Sequence, residues 1–200
     1  YLYHYRKGDQ PVLGRKKQIR DDITNKVVVN IADEIISFWL CMQYGKPLQY
    51  VSRGSTDETS THIQKLNDMM LMCGKSRKDI ERFEWALTCG TSYGIALPNS
   101  PYINREIVPK LQNRQTSFSE DEAPFDIYIP DPRNTFIIYH SGLGEPPLMG
   151  VRYVVQGNNE QDKATVYSIY TSTRYFEIVD GKNGKRIVKN EKRALKGIPI

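Results

Sequence analysis

Hydrophobic residues recur at helical spacing between Asn25 and Pro47, in the sequence NKVVVNIADEIISFWLCMQYGKP. The apolar positions that share one broad face are Val28, Ile31, Ala32, Ile35, Ile36, Trp39 and Met42. Thr24 or Asn25 is suited to cap the start of a helix, and Gly45 is suited to end it in the left-handed conformation. The pattern therefore predicts an amphipathic helix around which several other elements pack.

Shorter periodic segments lie on either side of this helix. The other predicted helices are Tyr1–Arg6, Thr59–Met72 and Arg77–Thr88. The strands predicted in the same half of the chain are Leu48–Ser52 and Tyr93–Leu97. Gly74 and Gly90 are expected to end the last two helices, and Ser76 with Asp79 resembles a capping box.

From Phe125 onward the pattern changes to short runs rich in Val, Ile, Tyr, Phe and Thr, which are typical of strands. The predicted strands are Phe125–Ile129, Thr135–Tyr139, Leu148–Val155, Thr165–Tyr170, Tyr175–Val179 and Arg186–Lys189. The sequence DGKNG at Asp180–Gly184 predicts a hairpin, because Asn-Gly accepts positive φ. Short turns favour antiparallel pairing. The sequence thus predicts an α+β fold, in which N-terminal helices pack with a mostly antiparallel sheet of short strands and hairpins.

Composition changes along the 200 residues predict four segments. An aromatic and basic N-terminal arm covers residues 1–24, and a helical part covers 25–97. Residues 98–124 contain four prolines and little periodicity, which indicates a polar loop or insertion. An antiparallel β part covers 125–200. The arm either contacts phosphate groups and stacks its aromatic rings on bases, or packs Tyr3 and Tyr5 on a neighbouring element.

The charge balance is only moderately basic, with 28 Lys and Arg against 23 Asp and Glu. This permits contact with nucleic acid but does not require it, because dedicated nucleic-acid modules show stronger imbalance or clustering. The basic end, Lys182–Lys196, is explained as a lysine-rich edge strand. Cys41, Cys73 and Cys89 are widely spaced and predict buried free thiols in a reducing compartment rather than a metal site.

No membrane-spanning segment and no signal peptide is apparent in the sequence. The chain begins at Tyr1 and ends on the apolar residues GIPI. We therefore expect it to be a fragment of a longer protein.

Candidate groups for catalysis are few. His4, His62 and His140 have no recognisable catalytic spacing, and the sequence contains neither GxSxG nor a P-loop lysine motif. The acidic run at residues 120–122 lacks the ligand spacing of a Ca²⁺ loop and is interpreted as a solvated loop. We expect a protein that is not an enzyme, and we assign no catalytic, cofactor-binding or metal-binding residue.

The alternative hypothesis is a metal-dependent DNA-processing enzyme. Its carboxylates would come from Asp126 on a predicted strand and Asp131 in the following turn, with Glu145 as a further candidate. This alternative predicts divalent-metal-dependent nicking of DNA that is lost in Asp126→Ala or Asp131→Ala.

Three stretches together resemble a known family. They are NKVVVNIADEIISFWLCMQYGKPLQY, IPDPRNTFIIYHSGLGEPPLMGVRY and KRALKGIPI. In the first, the matching residues are Asn25, Asn30, Tyr44, Gly45, Lys46, Pro47 and Tyr50. In this order the stretches resemble the portal proteins, or head-to-tail connectors, of tailed double-stranded-DNA bacteriophages. The branch they resemble is found in long-tailed phages of Gram-positive hosts.

The resemblance implies a structural subunit of a ring, usually dodecameric, at one vertex of the virion capsid. Double-stranded DNA would pass through the ring during packaging and ejection without sequence-specific binding. The ring would form in the host cytoplasm and dock terminase, the scaffolding or capsid protein and the head-to-tail adaptor. It would need no cofactor and no membrane.

The resemblance also implies that this chain is the wing of the subunit, with the stem, clip and crown beyond residue 200. The fragment alone is then not expected to close a ring. Tyrosines on the predicted strands would either contact neighbouring subunits or form a half-buried sheet face. They are Tyr153, Tyr167, Tyr170 and Tyr175.

Overall fold

A computed structural model describes most of the chain. The described residues are 1–16, 25–54, 57–98, 123, 125–142, 144–157, 163–182, 184–193 and 196–200. The helices in these ranges are α1 (Leu2–Arg6), α2 (Ile31–Tyr44), α3 (Asp57–Met72) and α4 (Lys75–Cys89), with a 3₁₀ turn at Pro11–Leu13. The predictions of a lead-in helix and of two helices after α2 are confirmed, with bounds that differ by one or two residues.

The start of α2 differs from the prediction. The helix begins at Ile31, and the β-branched residues 27–29 before it are not helical, which agrees with the restricted χ1 freedom of valine in a helix. Asn30 occupies the N-cap position, but its side chain donates a hydrogen bond to the backbone carbonyl of Arg6 instead of capping the helix. The predicted cap at Asn25 is therefore wrong, and Thr24 lies outside the described residues.

The end of α2 is at Gly45, as predicted, but for a different reason. Gly45 has φ −61°, which is right-handed rather than left-handed. A Cβ atom at this position would lie 2.9 Å from the carbonyl oxygen of Cys41. Glycine is required there because of this close approach and not because of positive φ.

The apolar face of α2 is not covered in the described structure. The helix contacts α1 and α4, yet five large apolar side chains on it are 51 to 68% exposed. We call these five residues the α2 stripe: Ile31, Ile35, Phe38, Trp39 and Met42. The prediction that several elements pack around the helix is confirmed for α1 and α4, but neither covers the stripe.

Gly90 ends α4 as predicted, and Gly74, predicted to end the preceding helix, lies between α3 and α4. Gly74 precedes the helix with φ 64°, and Gly90 follows it with φ 77° and donates its N–H to the carbonyl of Ala86. Because Gly74 takes the N-cap position, Ser76 lies inside the helix and Asp79 forms an ion pair with Lys75. The predicted Ser76–Asp79 capping box is therefore wrong.

The strand predicted at Leu48–Ser52 is also absent, since these residues have no regular structure. The amide side chain of Asn67 on α3 instead pairs with both backbone groups of Tyr50. The Tyr50 N–H donates to Asn67 Oδ1 at 2.9 Å, and Asn67 Nδ2 donates to the Tyr50 carbonyl at 3.0 Å. One side chain thus satisfies both backbone groups of Tyr50, which a partner strand would otherwise have paired.

The strands form two antiparallel sheets. They are β1 (Ile95–Pro98), β2 (Phe125–Tyr128), β3 (Thr135–Tyr139), β4 (Pro147–Gln156), β5 (Ala164–Thr171), β6 (Arg174–Gly181) and β7 (Gly184–Lys192). β1 pairs with β2, and the other five form a meander in chain order. The predicted α+β class and the antiparallel pairing are confirmed.

The hairpin between β6 and β7 follows the sequence signal. Gly181 pairs with Gly184, which has φ 83°. Every described residue of β7 is exposed, as expected of an edge strand. Lys185 and Lys189 form ion pairs with Asp180 and Glu177 on β6, at 3.7 and 3.3 Å. The prediction of a lysine-rich edge strand is confirmed.

The five-stranded sheet has two distinct faces, which follow from its register because directly paired residues point to the same side. The outer face carries a broad apolar set. Its members are Phe136, Ile138, Val151, Tyr153, Val155, Tyr167, Ile169, Phe176, Ile178 and Ile187. The inner face carries Gly150, Arg152, Val154, Val166, Tyr170 and Tyr175.

The inner face lies toward the helices and the small sheet. Arg152 and Tyr170 line a cavity of about 410 Å³ together with Lys78 and Glu81 of α4 and with apolar residues of β1 and β2. Near the end of the sequence, the Pro199 carbonyl accepts a hydrogen bond from the N–H of Ala96 at 3.1 Å. The inner face is therefore the side of the large sheet on which α4 and the small sheet lie.

Candidate functional site

The three carboxylates of the metal hypothesis do not assemble in the structure. Asp131 is bound by the guanidinium of Arg133, whose Nε lies 2.9 and 3.0 Å from its two oxygens. Asp126 accepts a hydrogen bond from Tyr128 at 3.4 Å, and Glu145 lies in the exposed turn before β4. Within the described ranges, no three His, Cys, Asp or Glu side chains converge to hold a metal ion. This arrangement does not favour the metal hypothesis.

The hydrogen bond from Arg133 lowers the pKa of the Asp131 carboxyl. A lowered pKa means that the ion pair stabilises the fold above the ordinary Asp value, about 4, and that this contribution is lost as pH falls through the lowered pKa. We expect Asp131→Asn to reduce the free energy of unfolding by about 1 kcal/mol at pH 7. Urea unfolding of both proteins from pH 7 to pH 2 measures this. A difference between them that grows toward low pH would contradict the assignment.

The cysteines are free, as predicted, but not all are buried. Cys73 is buried and its thiol donates to the carbonyl of Phe125 at 3.0 Å. Burial raises the pKa of this thiol. Cys89 is half-buried, and Cys41 on α2 is exposed. The prediction of a buried thiol is therefore wrong for Cys41, because the face of α2 beside it is open to solvent.

Arg6 joins three helices. Its side chain, only 10% exposed, forms ion pairs from Nε to Asp33 on α2 at 2.9 Å and from Nη1 to Glu84 on α4 at 2.7 Å. Nη1 also donates to the hydroxyl of Thr88 at 2.9 Å. Sequence analysis counted Arg6 among the basic residues of the arm and missed this role, since its partners lie 27 to 82 positions away.

The N-terminal arm also packs through its aromatic residues. The Tyr3 ring stacks on Trp85 of α4 with centroids 5.6 Å apart. The guanidinium of Arg133 lies 4.0 Å from the Tyr3 centroid on the same cluster. The packing alternative for the arm is thus confirmed for Tyr3. The basic residues Lys17 and Arg20 of the arm lie outside the described residues.

The four strand tyrosines are all half-buried. Tyr153 pairs with Tyr167 on the outer face, and Tyr170 pairs with Tyr175 on the inner face. The Tyr170 and Tyr175 rings are 4.9 Å apart, and burial raises the pKa of Tyr170. The half-buried alternative is confirmed, and the two pairs lie on opposite faces of the sheet. The Tyr153 hydroxyl also donates to the backbone carbonyl of Arg133 at 3.3 Å.

Two open apolar surfaces remain, and they form the candidate site. One is the α2 stripe, and the other is the outer face of the five-stranded sheet. On that face Val151 is buried and most other apolar members are half-buried, while the exposed ones are Phe136, Ile138, Val155 and Ile187. Large contiguous apolar surfaces on a folded unit mark sites of contact with other molecules. Sequence periodicity identifies such surfaces as apolar but cannot distinguish a buried core from an assembly interface.

The acidic run at residues 120–122 lies outside the described residues, so its interpretation stays a prediction. None of the helices that the structure describes is long and apolar enough to cross a membrane.

An α+β unit that presents apolar side chains on two surfaces is suited to contact with other molecules. The family model of phage portal proteins of the SPP1 Gp6-like type matches the chain over residues 1–200. This chain therefore belongs to the phage portal protein family, and its role is structural. No curated protein matches it.

Proposed function

We propose that this chain is the wing of a portal subunit, and that twelve full-length subunits form a ring at one capsid vertex. Double-stranded DNA would pass through the ring during packaging and ejection. The same ring would dock terminase, the scaffolding or capsid protein and the head-to-tail adaptor. Assembly would take place in the host cytoplasm, and the phage would belong to the long-tailed branch that infects Gram-positive hosts.

The observation that carries this proposal is the portal family match over residues 1–200. The open apolar surfaces support it, because ring subunits must bury apolar area against their neighbours. The division into an arm (1–24), a helical part (25–97), an insertion (98–124) and a β part (125–200) is proposed as the organisation of the wing.

The charge distribution supports loose rather than tight contact with DNA. The net charge is +5, and Arg6 is already neutralised by two carboxylates. Each lysine or arginine held on a phosphate strengthens binding to DNA. A ring through which DNA moves during packaging would be slowed by many such contacts.

Negative-stain imaging with light scattering of the complete open reading frame tests the proposal. We expect rings with a central channel and a mass of a dodecamer. A monodisperse monomer across salt and protein concentrations would overturn the ring. In that case cleavage of DNA with added Mg²⁺ or Mn²⁺, with Asp126→Ala as the control, would be the next measurement.

A further inference from the structure

The α2 stripe has the composition of a protein interface. It places two large aromatic residues, Phe38 and Trp39, next to three aliphatic side chains along one side of a four-turn helix. Such exposed aromatics dominate the energetics of interfaces. The stripe presents on the order of several hundred Å² of apolar surface. A standard interface buries roughly 800 Å² from each partner, so the stripe can supply most of one side.

The outer face of the sheet is a second, different apolar surface. It spans five strands, and its exposed members lie on β3, β4 and β7, while Val151 on β4 is buried. The described helices make their main contacts with one another and with β2. They lie on the inner side, where Lys78 and Arg152 line the same cavity.

We propose that the α2 stripe of one subunit packs on the outer face of the sheet in the neighbouring copy of this chain. This pairing rests on the proposed function, since it names the lateral contact of the proposed ring. A head-to-tail contact joins two different surfaces of identical subunits, and a rotation that closes makes a ring. A helix on an apolar sheet face is also a stable layer arrangement in folded domains.

Charge at the edges of the two surfaces favours a second copy as the partner. Arg174 and Lys192 are register partners of like charge on the outer face, and the Arg174 guanidinium donates to the neutral side chain of Asn190 at 3.1 Å. Directly opposed like charges are unfavourable unless an acid lies nearby. Glu34 is exposed beside Phe38 on α2. The neighbour's α2 would bring this carboxylate to the edge of the sheet that carries the two cations.

The first experiment compares Phe38→Lys with Ser37→Lys in the complete open reading frame. Both positions are exposed on α2, but only Phe38 belongs to the stripe. We expect Phe38→Lys to lower the fraction of subunits in rings at least tenfold by light scattering, while Ser37→Lys assembles like the wild type. Ile35→Lys is a second stripe variant and should repeat the loss.

The outcomes of this experiment separate the inference from the proposed function. Wild-type protein without rings would contradict the proposed function. Rings formed normally by Phe38→Lys and Ile35→Lys would overturn the inference and leave the function standing. Loss of cooperative unfolding in both stripe variants, but not in Ser37→Lys, would mean that the stripe is covered within its own subunit and would also overturn the inference.

The second experiment identifies the surface that receives the stripe. Cys41 is exposed on α2 and is a natural thiol beside the stripe. Cysteine is placed singly at Phe136, Val155 and Ile187 on the outer face, or at Gln156 as a control. Gln156 is exposed but points to the opposite side from Val155. Rings are treated with a bismaleimide whose reach is about 10 Å, roughly the distance between packed layers.

We expect covalent dimers from at least one outer-face variant, lost when Cys41→Ser is added, and at least fivefold fewer dimers from Gln156→Cys. Dimers from Gln156→Cys alone would overturn the pairing. Intact rings that give no Cys41-dependent dimers from any outer-face variant would overturn it as well. In that outcome the stripe would contact another protein of the capsid or another part of the subunit.

Discussion

Replacing Arg6 by methionine is expected to lower the free energy of unfolding by about 3 kcal/mol. The guanidinium is nearly buried and forms charge-assisted hydrogen bonds with Asp33 and Glu84. Methionine would fill much of the space but would leave both carboxylates and the Thr88 hydroxyl without their donor. Urea unfolding at pH 7 and low salt measures the loss.

Two matched variants make this prediction specific. Arg6→Lys keeps the charge but lacks the planar fork, so it should lose about half as much free energy of unfolding. Lys7→Met changes the neighbouring, exposed residue, whose ammonium lies 5.8 Å from the centroid of the Tyr3 ring. Its effect should stay within about 0.5 kcal/mol. Equal losses in Arg6→Met and Lys7→Met would show that Arg6 does not join the helices.

The position of Arg6 explains how the arm becomes part of the fold. One residue of α1 contacts α2 and α4 at the same time, and its backbone carbonyl accepts from Asn30 at the start of α2. Tyr3, one turn earlier, stacks on α4. These contacts fix α2 with its stripe open. A loss of Arg6 should therefore disturb assembly as well as stability.

Sequence patterns predicted the β part well, because alternation and turn residues are local signals. All six strands predicted from Phe125 onward are present, and the turn at Gly184 lies where the Asn-Gly sequence predicted a hairpin. The strand at Leu48–Ser52 failed because its pattern is short. The backbone hydrogen bonds of Tyr50 go to the side chain of Asn67, a partner that no local pattern reveals.

The candidate site could be predicted only in part. Periodicity identified the residues of the α2 stripe as apolar, and the tyrosine pattern pointed to contact surfaces. Whether an apolar face is covered depends on contacts distant in sequence, as with Arg6 and Glu84. Which face of the sheet stays open to solvent depends on the side of the sheet that the helices occupy. A single sequence carries neither kind of information directly.

Gly150→Ala is expected to lower the free energy of unfolding by about 2 kcal/mol, the cost typical of overpacking. A Cβ at Gly150 would lie 2.7 Å from Cδ1 of Ile200 and 3.1 Å from its Cβ and Cγ1. The cause is steric, since Gly150 does not have positive φ. Urea unfolding of the variant and of the wild type measures the loss.

Gly181→Ala is the matched control, because this strand glycine also lies on the inner face and its new Cβ would meet only Ala164, at 3.6 Å. It should be neutral or stabilising by about 0.5 kcal/mol. Adding Ile200→Ala to Gly150→Ala should recover at least about 1 kcal/mol in a double-mutant cycle. A cycle without coupling would mean that Ile200 does not cover the inner face. The assignment of the outer face as the open side of the sheet would then be wrong.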